Sequence, residues 1–393
     1  MEDTKPSQST KEYTLRNPVI KVLGLGGGGS NAVDRMIELG IPGVEFIAAN
    51  TDYQVLQSSL APVKIQLGPQ LTRGLGAGGD HEVGYRAAKE SRAEIEAALR
   101  DADMVFLTAG MGGGTGTGAI AVAGEIARSL GAVTIAVVTT PFSFEMGHRQ
   151  KTAREGLTRL QPHTDTLIAI PNDRLLFVAP HDLPLETAFR LADDVLRQAV
   201  QGIAELITQP GLINVDFSHV RNMMKRGGGA LMAIGHGNGE NKVLQAIKQA
   251  LQHPLLESVS LADAQGVIAN FSGGEDLSLY EVGEAVGHIR SLTGGDVDVV
   301  MGLSQDDRMS ERAQVILIVT GLGAKSLADV LPGAEILQNK SIATTAPADP
   351  TPSSGLPAEE SYEAVPANIL NDLDVPSFLR KRARVNTQVL EGR

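Results

Sequence analysis

The sequence predicts an α/β fold in two domains, and three observations carry that prediction. The 393-residue length exceeds what one core of ordinary size uses. Short apolar runs lead directly into glycine-rich loops that open helical patterns, the order of a parallel nucleotide-binding sheet. After a long helical pattern from Leu185 to Thr208, helices and strands alternate again as far as Thr320.

Composition narrows the class. Hydrophobic residues make up 42% and charged residues 20%, the balance of a globular protein with ample core. There is no Cys, which excludes a disulfide framework and thiolate metal sites. No apolar run has the length of a membrane span, and the N-terminus is polar without a signal-peptide pattern, so a cytoplasmic address is expected. The net charge of -12 argues against nucleic-acid binding by the body of the chain.

In chain order, residues 1–16 are polar and expected to be an unordered arm. Val19 to Leu23 reads as a buried strand that enters GLGGGGSNAV, where Gly24, Gly26 and Gly29 fit G-x-G-x-x-G ahead of a helix from Asn31 to Leu39. The next strand, Val44 to Ala49, ends at Asn50-Thr51-Asp52, placing an acid within reach of a ribose. One such fingerprint suggests a Rossmann-type NAD oxidoreductase. Two further stretches change that reading: TRGLGAGGD, Thr72 to Asp80, opening a helix from Glu82 to Arg100, and GMGGGTGTG, Gly110 to Gly118, between the strand Met104–Thr108 and a helix from Ala119 to Leu130.

Three glycine loops imply several turns of backbone converging on one polyphosphate. Glycine lets amides come close, and the N-terminus of the following helix favours negative charge. Thr115 and Thr117 add hydroxyls. No G-x-x-x-x-G-K-[ST] occurs, so backbone amides rather than a P-loop lysine must hold the phosphates.

GGGTGTG resembles the signature of the tubulin/FtsZ family of GTPases. GLGGGGSNAV, VEFIAANTD, GLGAGG, AGMGGGTGTGA, PFSFE, IPNDRLL, VQGIAELIT and GLINVDF resemble its bacterial cell-division branch, in order, from Ile20 to Leu322. The resemblance implies a Rossmann-like GTP-binding domain with a mainly parallel sheet (17–184) and a central connecting helix (185–209). A second α/β domain with a mixed sheet (210–322) would serve filament contact. It implies GTP/GDP with Mg²⁺, head-to-tail homopolymers that form the mid-cell division ring, and a related chain as a further assembly partner.

The same resemblance assigns residues. Gly26, Gly27 and Asn31 belong to the first nucleotide loop, and Ala77 with Gly78 lies beside the γ-phosphate. Gly113, Gly114, Thr115 and Gly116 form the central phosphate loop. Glu145 reaches the ribose with Arg149 nearby, Asn172 and Asp193 read the guanine edge, and Phe189 stacks on the base. Guanine presents paired N1 and N2 donors that a carboxylate accepts, and adenine does not. Read alone, Asp193 is a solvated helix charge and Phe189 a core residue.

LINVDFSHV follows the stop signal Gln209-Pro210-Gly211. In the family this loop enters the next subunit's site, where acidic residues position the attacking water. Asp216 matches the first acid, and His219 stands where the family usually carries Asp. Imidazole does not replace that charge, but it accepts a proton near neutral pH. Slow hydrolysis is expected, and a GTP-binding structural paralogue with little turnover is the alternative.

No His/Asp/Glu cluster in the second half suggests a metal site. The stretch from 341 to 366 carries Pro347, Pro350, Pro352, Pro357 and Pro366 with few large apolar residues, and reads as a disordered linker. The terminal segment DVPSFLRKRAR resembles the family's adaptor-binding peptide. Asp374, Pro376, Phe378, Leu379 and Arg380 are its candidate contacts for membrane-tethering division adaptors.

Overall fold

A computed structural model describes residues 17–322, apart from Met146, 177–181, 209–214, Gly227, 254–255, 257–260, 262–263 and 294–296. The expected N-terminal arm, the linker and the terminal peptide with Asp374, Pro376, Phe378, Leu379 and Arg380 lie outside the described residues.

Ten strands form one sheet in the order β3-β2-β1-β4-β5-β6-β7-β10-β8-β9. They are β1 (Ile20–Leu25), β2 (Val44–Asn50), β3 (Val63–Gln66), β4 (Met104–Gly110), β5 (Val133–Thr140), β6 (Thr166–Pro171), β7 (Gly228–Asn238), β8 (Gly266–Gly273), β9 (Asp298–Gln305) and β10 (Arg312–Thr320). β1 to β6 pair in parallel, and β7 joins β6 in parallel through Thr166, Leu167 and Ile168 opposite Gly228, Gly229 and Ala230. β10 runs antiparallel to both β7 and β8, while β9 lies parallel to β8. The first half is thus parallel and the second mixed, as expected. Following these senses across the sheet, β9 points the same way as β6.

The helices are α1 (Gly26–Leu39), α2 (Tyr53–Ser58), α3 (Pro69–Thr72), α4 (His81–Glu90), α5 (Arg92–Leu99), α6 (Thr115–Ser129), α7 (Gly147–Leu160), α8 (Asn172–Leu175), α9 (Leu185–Thr208), α10 (Phe217–Lys225), α11 (Lys242–Leu251) and α12 (Leu279–Thr293). Strands buried on both faces read as near-continuous apolar runs, and all eight residues of β5 are buried. Alternate residues divide between two cores. Met104 and Phe106 of β4 join α1, α9 and α10 on one face, while Val105, Leu107 and Ala109 join α4 to α7 on the other. In the second half the outer layer is α11 and α12, packed on Val267, Ala269, Val315 and Leu317.

The core shared with α9 takes in residues of both halves, from Ile20 and Phe106 to Ile268, Val300 and Ile316. Its buried positions Ala188, Ala192, Val195, Leu196, Ala199, Ile203 and Leu206 recur at helical spacing. This 24-residue helix, about 36 Å long at 1.5 Å per residue, underlies both halves of the sheet.

Three expectations are corrected. α1 begins at Gly26 rather than Asn31, and α6 at Thr115 rather than Ala119, so the glycines at the end of each loop already form a helical first turn. The helix expected from Glu82 to Arg100 is two, broken at Ser91. Its hydroxyl donates to the Gln66 carbonyl and accepts the Gly68 amide, each at 3.1 Å. Tying Ser91 to the end of β3 outweighs continuing the helix.

Candidate nucleotide site

In a parallel sheet, ligands collect at the carboxyl ends of the strands, where the helices that follow present their N-termini. β1 and β4 are neighbours here, so the first turns of α1 and α6 lie side by side at that edge. The loop between α3 and α4 closes over them. A Cβ on Gly114 would lie 2.9 Å from the Ala77 Cβ and 3.0 Å from the Asp80 amide nitrogen; one on Gly26, whose φ is +70°, would lie 2.8 Å from the Gly116 nitrogen. Only glycine fits at these two close approaches. The three glycine loops therefore converge, and beside Gly27, Gly78 and Gly113 the space is open. Asn31 stands exposed in α1 and Gly116 is buried in α6.

The hydroxyls divide their work. Thr115 Oγ1 lies 2.6 Å from Thr51 Oγ1, tying α6 to the end of β2. Thr117 is buried and accepts the Gly112 amide at 2.8 Å, so it supports the loop from behind. The expectation that it reaches a phosphate is corrected. Asp52 has a structural role that its place after β2 does not reveal: Oδ1 accepts from the Gln54 and Val55 amides at 2.9 and 3.2 Å, capping α2.

A second cluster forms where β5 and β6 end. Glu145 accepts the Phe142 amide at 2.8 Å and the Arg149 guanidinium at 2.6 Å. The Ser143 amide donates to Asp173 Oδ1 at 2.8 Å, which ties this turn to α8. Phe142 stacks with Phe144 at a centroid distance of 5.0 Å and meets Phe189 of α9 edge-on at 5.4 Å. Asn172, at the start of α8, is buried with Oδ1 unpartnered among the protein groups described. Asp193 lies one turn beyond Phe189 in α9. Burial pushes its carboxyl up to about 7, with Arg35 pulling weakly the other way.

Sequence reasoning did not single out Ser30, Thr108 or Thr140. Their hydroxyls are buried without partners, and they sit near the start of α1 and at the ends of β4 and β5. Together with Asn172 Oδ1 these are orphaned polar atoms at one edge, the condition that a polar ligand relieves. Hydroxyl-bearing residues at strand ends are too common for sequence to mark them.

Asp216 and His219 sit elsewhere. From Asp193 to Thr208, α9 runs about 22 Å away from the cradle at 1.5 Å per residue. Asp216 caps α10, its Oδ1 accepting the Ser218 amide at 2.9 Å, and His219 follows at the third helical position on the same first turn. His219 Nε2 lies 3.1 and 3.3 Å from the two carboxylate oxygens of Asp298, whose Oδ2 also takes Arg226 at 3.2 Å. Asp298 opens β9, so this trio lies at the amino edge of the sheet, opposite the glycine cradle. Among the described residues no group of three His, Asp or Glu side chains is gathered to hold a metal ion.

The fold and the cradle define an α/β protein of the nucleotide-binding class. Residues 19–180 match the GTPase domain of the Tubulin/FtsZ family, and residues 228–323 match the FtsZ family C-terminal domain. The chain belongs to the tubulin/FtsZ family of cytoskeletal GTPases. It is 45% identical to FtsZ of M. jannaschii, solved as an empty dimer, over 78% of this chain and 89% of that one, with a TM-score of 0.75. Two Haloferax volcanii structures share the fold. CetZ2, a GTPγS-bound protofilament, is 20% identical over 83% of this chain and 100% of that one, with a TM-score of 0.69. CetZ1, a GDP-bound monomer, is 18% identical over 82% and 98%, with a TM-score of 0.70.

Proposed function

We propose that this chain is a GTP-dependent polymerising GTPase whose active site is completed by the next subunit in a head-to-tail filament. The observation that carries this reading is the separation just described. The glycine cradle and the pair Asn172 and Asp193 lie at the carboxyl edge of the sheet, while Asp216 and His219 lie at the amino edge. A chain so arranged cannot bring its own Asp216 to its own nucleotide, but stacking copies edge to edge brings each acid to a neighbour's cradle.

The residues then divide the chemistry. The amides of Gly26, Gly27, Gly113, Gly114 and Gly116, with those of Ala77 and Gly78, cradle the phosphates, and Thr115 and Asn31 border them. Glu145, with Arg149 holding it, takes the ribose. Asn172 Oδ1 and the Asp193 carboxylate accept from the guanine edge while Phe189 covers the base. The orphaned acceptor and the buried carboxyl fit a purine that brings paired donors. Mg²⁺ would enter with the nucleotide and neutralise phosphate charge. Asp216 from the next subunit orients the attacking water, so catalysis is positioning plus electrostatics. The same reading gives the chain its place in a cytoplasmic division ring at mid-cell. Its terminal peptide would engage membrane-tethering adaptors.

Phosphate release with GTP and Mg²⁺, measured across a protein titration with sedimentation in parallel, tests this. Turnover per subunit is expected to rise steeply and together with pelletable polymer. A flat specific activity from nanomolar to micromolar protein refutes the shared site. Polymer with GTP but without turnover supports the second reading, a structural member of the family, which His219 in place of an acid favours.

A further inference from the structure

We infer that Asp298 is a positioning residue for His219, and that the two form a hydrolytic dyad replacing a single carboxylate at position 219. The inference rests on the shared-site reading above and concerns how that site is built in this chain.

The geometry carries it. His219 leaves the first turn of α10 half exposed, and Asp298 comes from the first residue of β9, 79 positions away. The imidazole Nε2 faces both carboxylate oxygens, at 3.1 and 3.3 Å. Arg226, the residue that caps the end of α10, also donates to Oδ2 at 3.2 Å. A carboxylate is acceptor-only, so Nε2 must be the protonated nitrogen of the neutral ring. That leaves Nδ1 as the basic lone pair. A ring whose tautomer and orientation are set by an acid behind it is the arrangement by which histidine serves as general base. The acid three residues after Asp216 is therefore not lost. It has moved to β9, with the imidazole hydrogen-bonded to it.

In the step this assigns, Nδ1 takes a proton from the water as its oxygen bonds to the γ-phosphorus. The bond from that phosphorus to the β–γ bridging oxygen breaks, GDP leaves with the electron pair, and the His219 proton passes to solvent or to phosphate afterwards. Asp298 touches neither the attacking water nor the nucleotide. Exposed ion pairs of this kind add little to folding, so stability gives the trio no comparable rationale.

The geometry also predicts what a simple restoration does. His219→Asp alone places a second carboxylate against Asp298, and like charges at this distance repel. The matched exchange is His219→Asp with Asp298→Asn.

The test uses four full-length chains: wild type, D298N, H219D and the double variant. GTP turnover is measured per sedimented subunit, with assembly in a non-hydrolysable GTP analogue as the control. In the wild-type background, D298N is expected to lower turnover at least tenfold while leaving assembly intact. In the H219D background the same substitution is expected to raise turnover. A residue that merely supports the fold lowers turnover in both, and that result, or no effect in either, overturns the dyad. Nitrogen-15 spectra of the His219 ring read the pair without turnover: an Nε2–H tautomer in the wild type that is lost in D298N is expected, and an Nδ1–H tautomer in the wild type also overturns it. If wild-type turnover does not depend on concentration, the shared site fails and the catalytic role of the pair with it, whatever the ring tautomer. Concentration-dependent turnover indifferent to D298N removes the positioning role alone.

Discussion

Phe142 meets Phe189 edge to face, ring centroids 5.4 Å apart and planes at 82°, and so joins the turn after β5 to the first third of α9. Phe142 is fully buried, while Phe189 is 39% exposed. The two rings therefore have different jobs. Phe142→Ala is expected to cost about 3 kcal/mol of stability, the range for emptying a buried aromatic site. Phe189→Ala should cost under 1 kcal/mol and weaken GDP binding about tenfold, on the order of one lost base–aromatic stack. Denaturant melts and titration with a fluorescent GDP analogue separate the two effects.

With Asp193 reading the guanine edge as proposed, nucleotide binding is expected to depend on pH. Its carboxyl is raised to about 7 in the folded chain by burial, against 3.8 for the solvated side chain. The folded state thus holds a proton that the unfolded state has released, and Asp193 lowers stability progressively as pH rises from about 4 to 7. Asp193→Asn is expected to stabilise the nucleotide-free protein at pH 8 by on the order of 2 kcal/mol, discounted for partial exposure. Guanine affinity should move the opposite way. It requires the charged form, so wild-type affinity rises from pH 6 to pH 8, and Asp193→Asn flattens that profile. A profile unchanged by the substitution would assign the titration elsewhere.

Gly114→Ala tests the cradle. The added methyl would stand 2.9 Å from the Ala77 Cβ and 3.0 Å from the Asp80 nitrogen, driving the loop between α3 and α4 away from α6. Retention of guanine nucleotide through gel filtration is expected to fall at least tenfold. Gly131→Ala, at φ +83° but facing open space at the other end of α6, should strain the fold without that loss.

Ser91→Ala should cost about 1–2 kcal/mol, because it leaves the Gly68 amide and Gln66 carbonyl without their partner. Thermal melts of the two chains read this directly.

Much of this architecture was legible because periodicity and punctuation agreed. α9 and α11 run over the residues their apolar spacing marks, Leu185–Thr208 and Lys242–Leu251. The glycine loops were legible because nothing else explains such density between a strand and a helix. What escaped depends on partners far away in sequence. No local signal breaks the helix at Ser91, since the cause is a contact with Gln66 and Gly68. Asp52 and Thr117 carry side chains suited to a ligand but spend them on backbone amides. β3 is too short to show alternation, and β7 opens on glycines, which are poor strand formers. Nothing in the sequence sets Asp298 apart from any other strand-leading acid, and only the fold puts it against His219.

The ladder between β6 and β7 has a mechanical meaning. Among the described residues, three pairs make up the β6–β7 ladder between the parallel and mixed parts of the sheet: Thr166 with Gly228, Leu167 with Gly229 and Ile168 with Ala230. β10 and β7, by contrast, are laced from Arg312 opposite Asn238 to Thr320 opposite Ala230. Two of the three residues on the β7 side are glycines, which bring no side chain to brace the seam. The two parts of the sheet thus meet at its shortest described ladder, backed by the core that α9 shares with both of them. In a filament of the kind proposed above, a load carried across the sheet would fall on that short ladder and on the α9 core behind it.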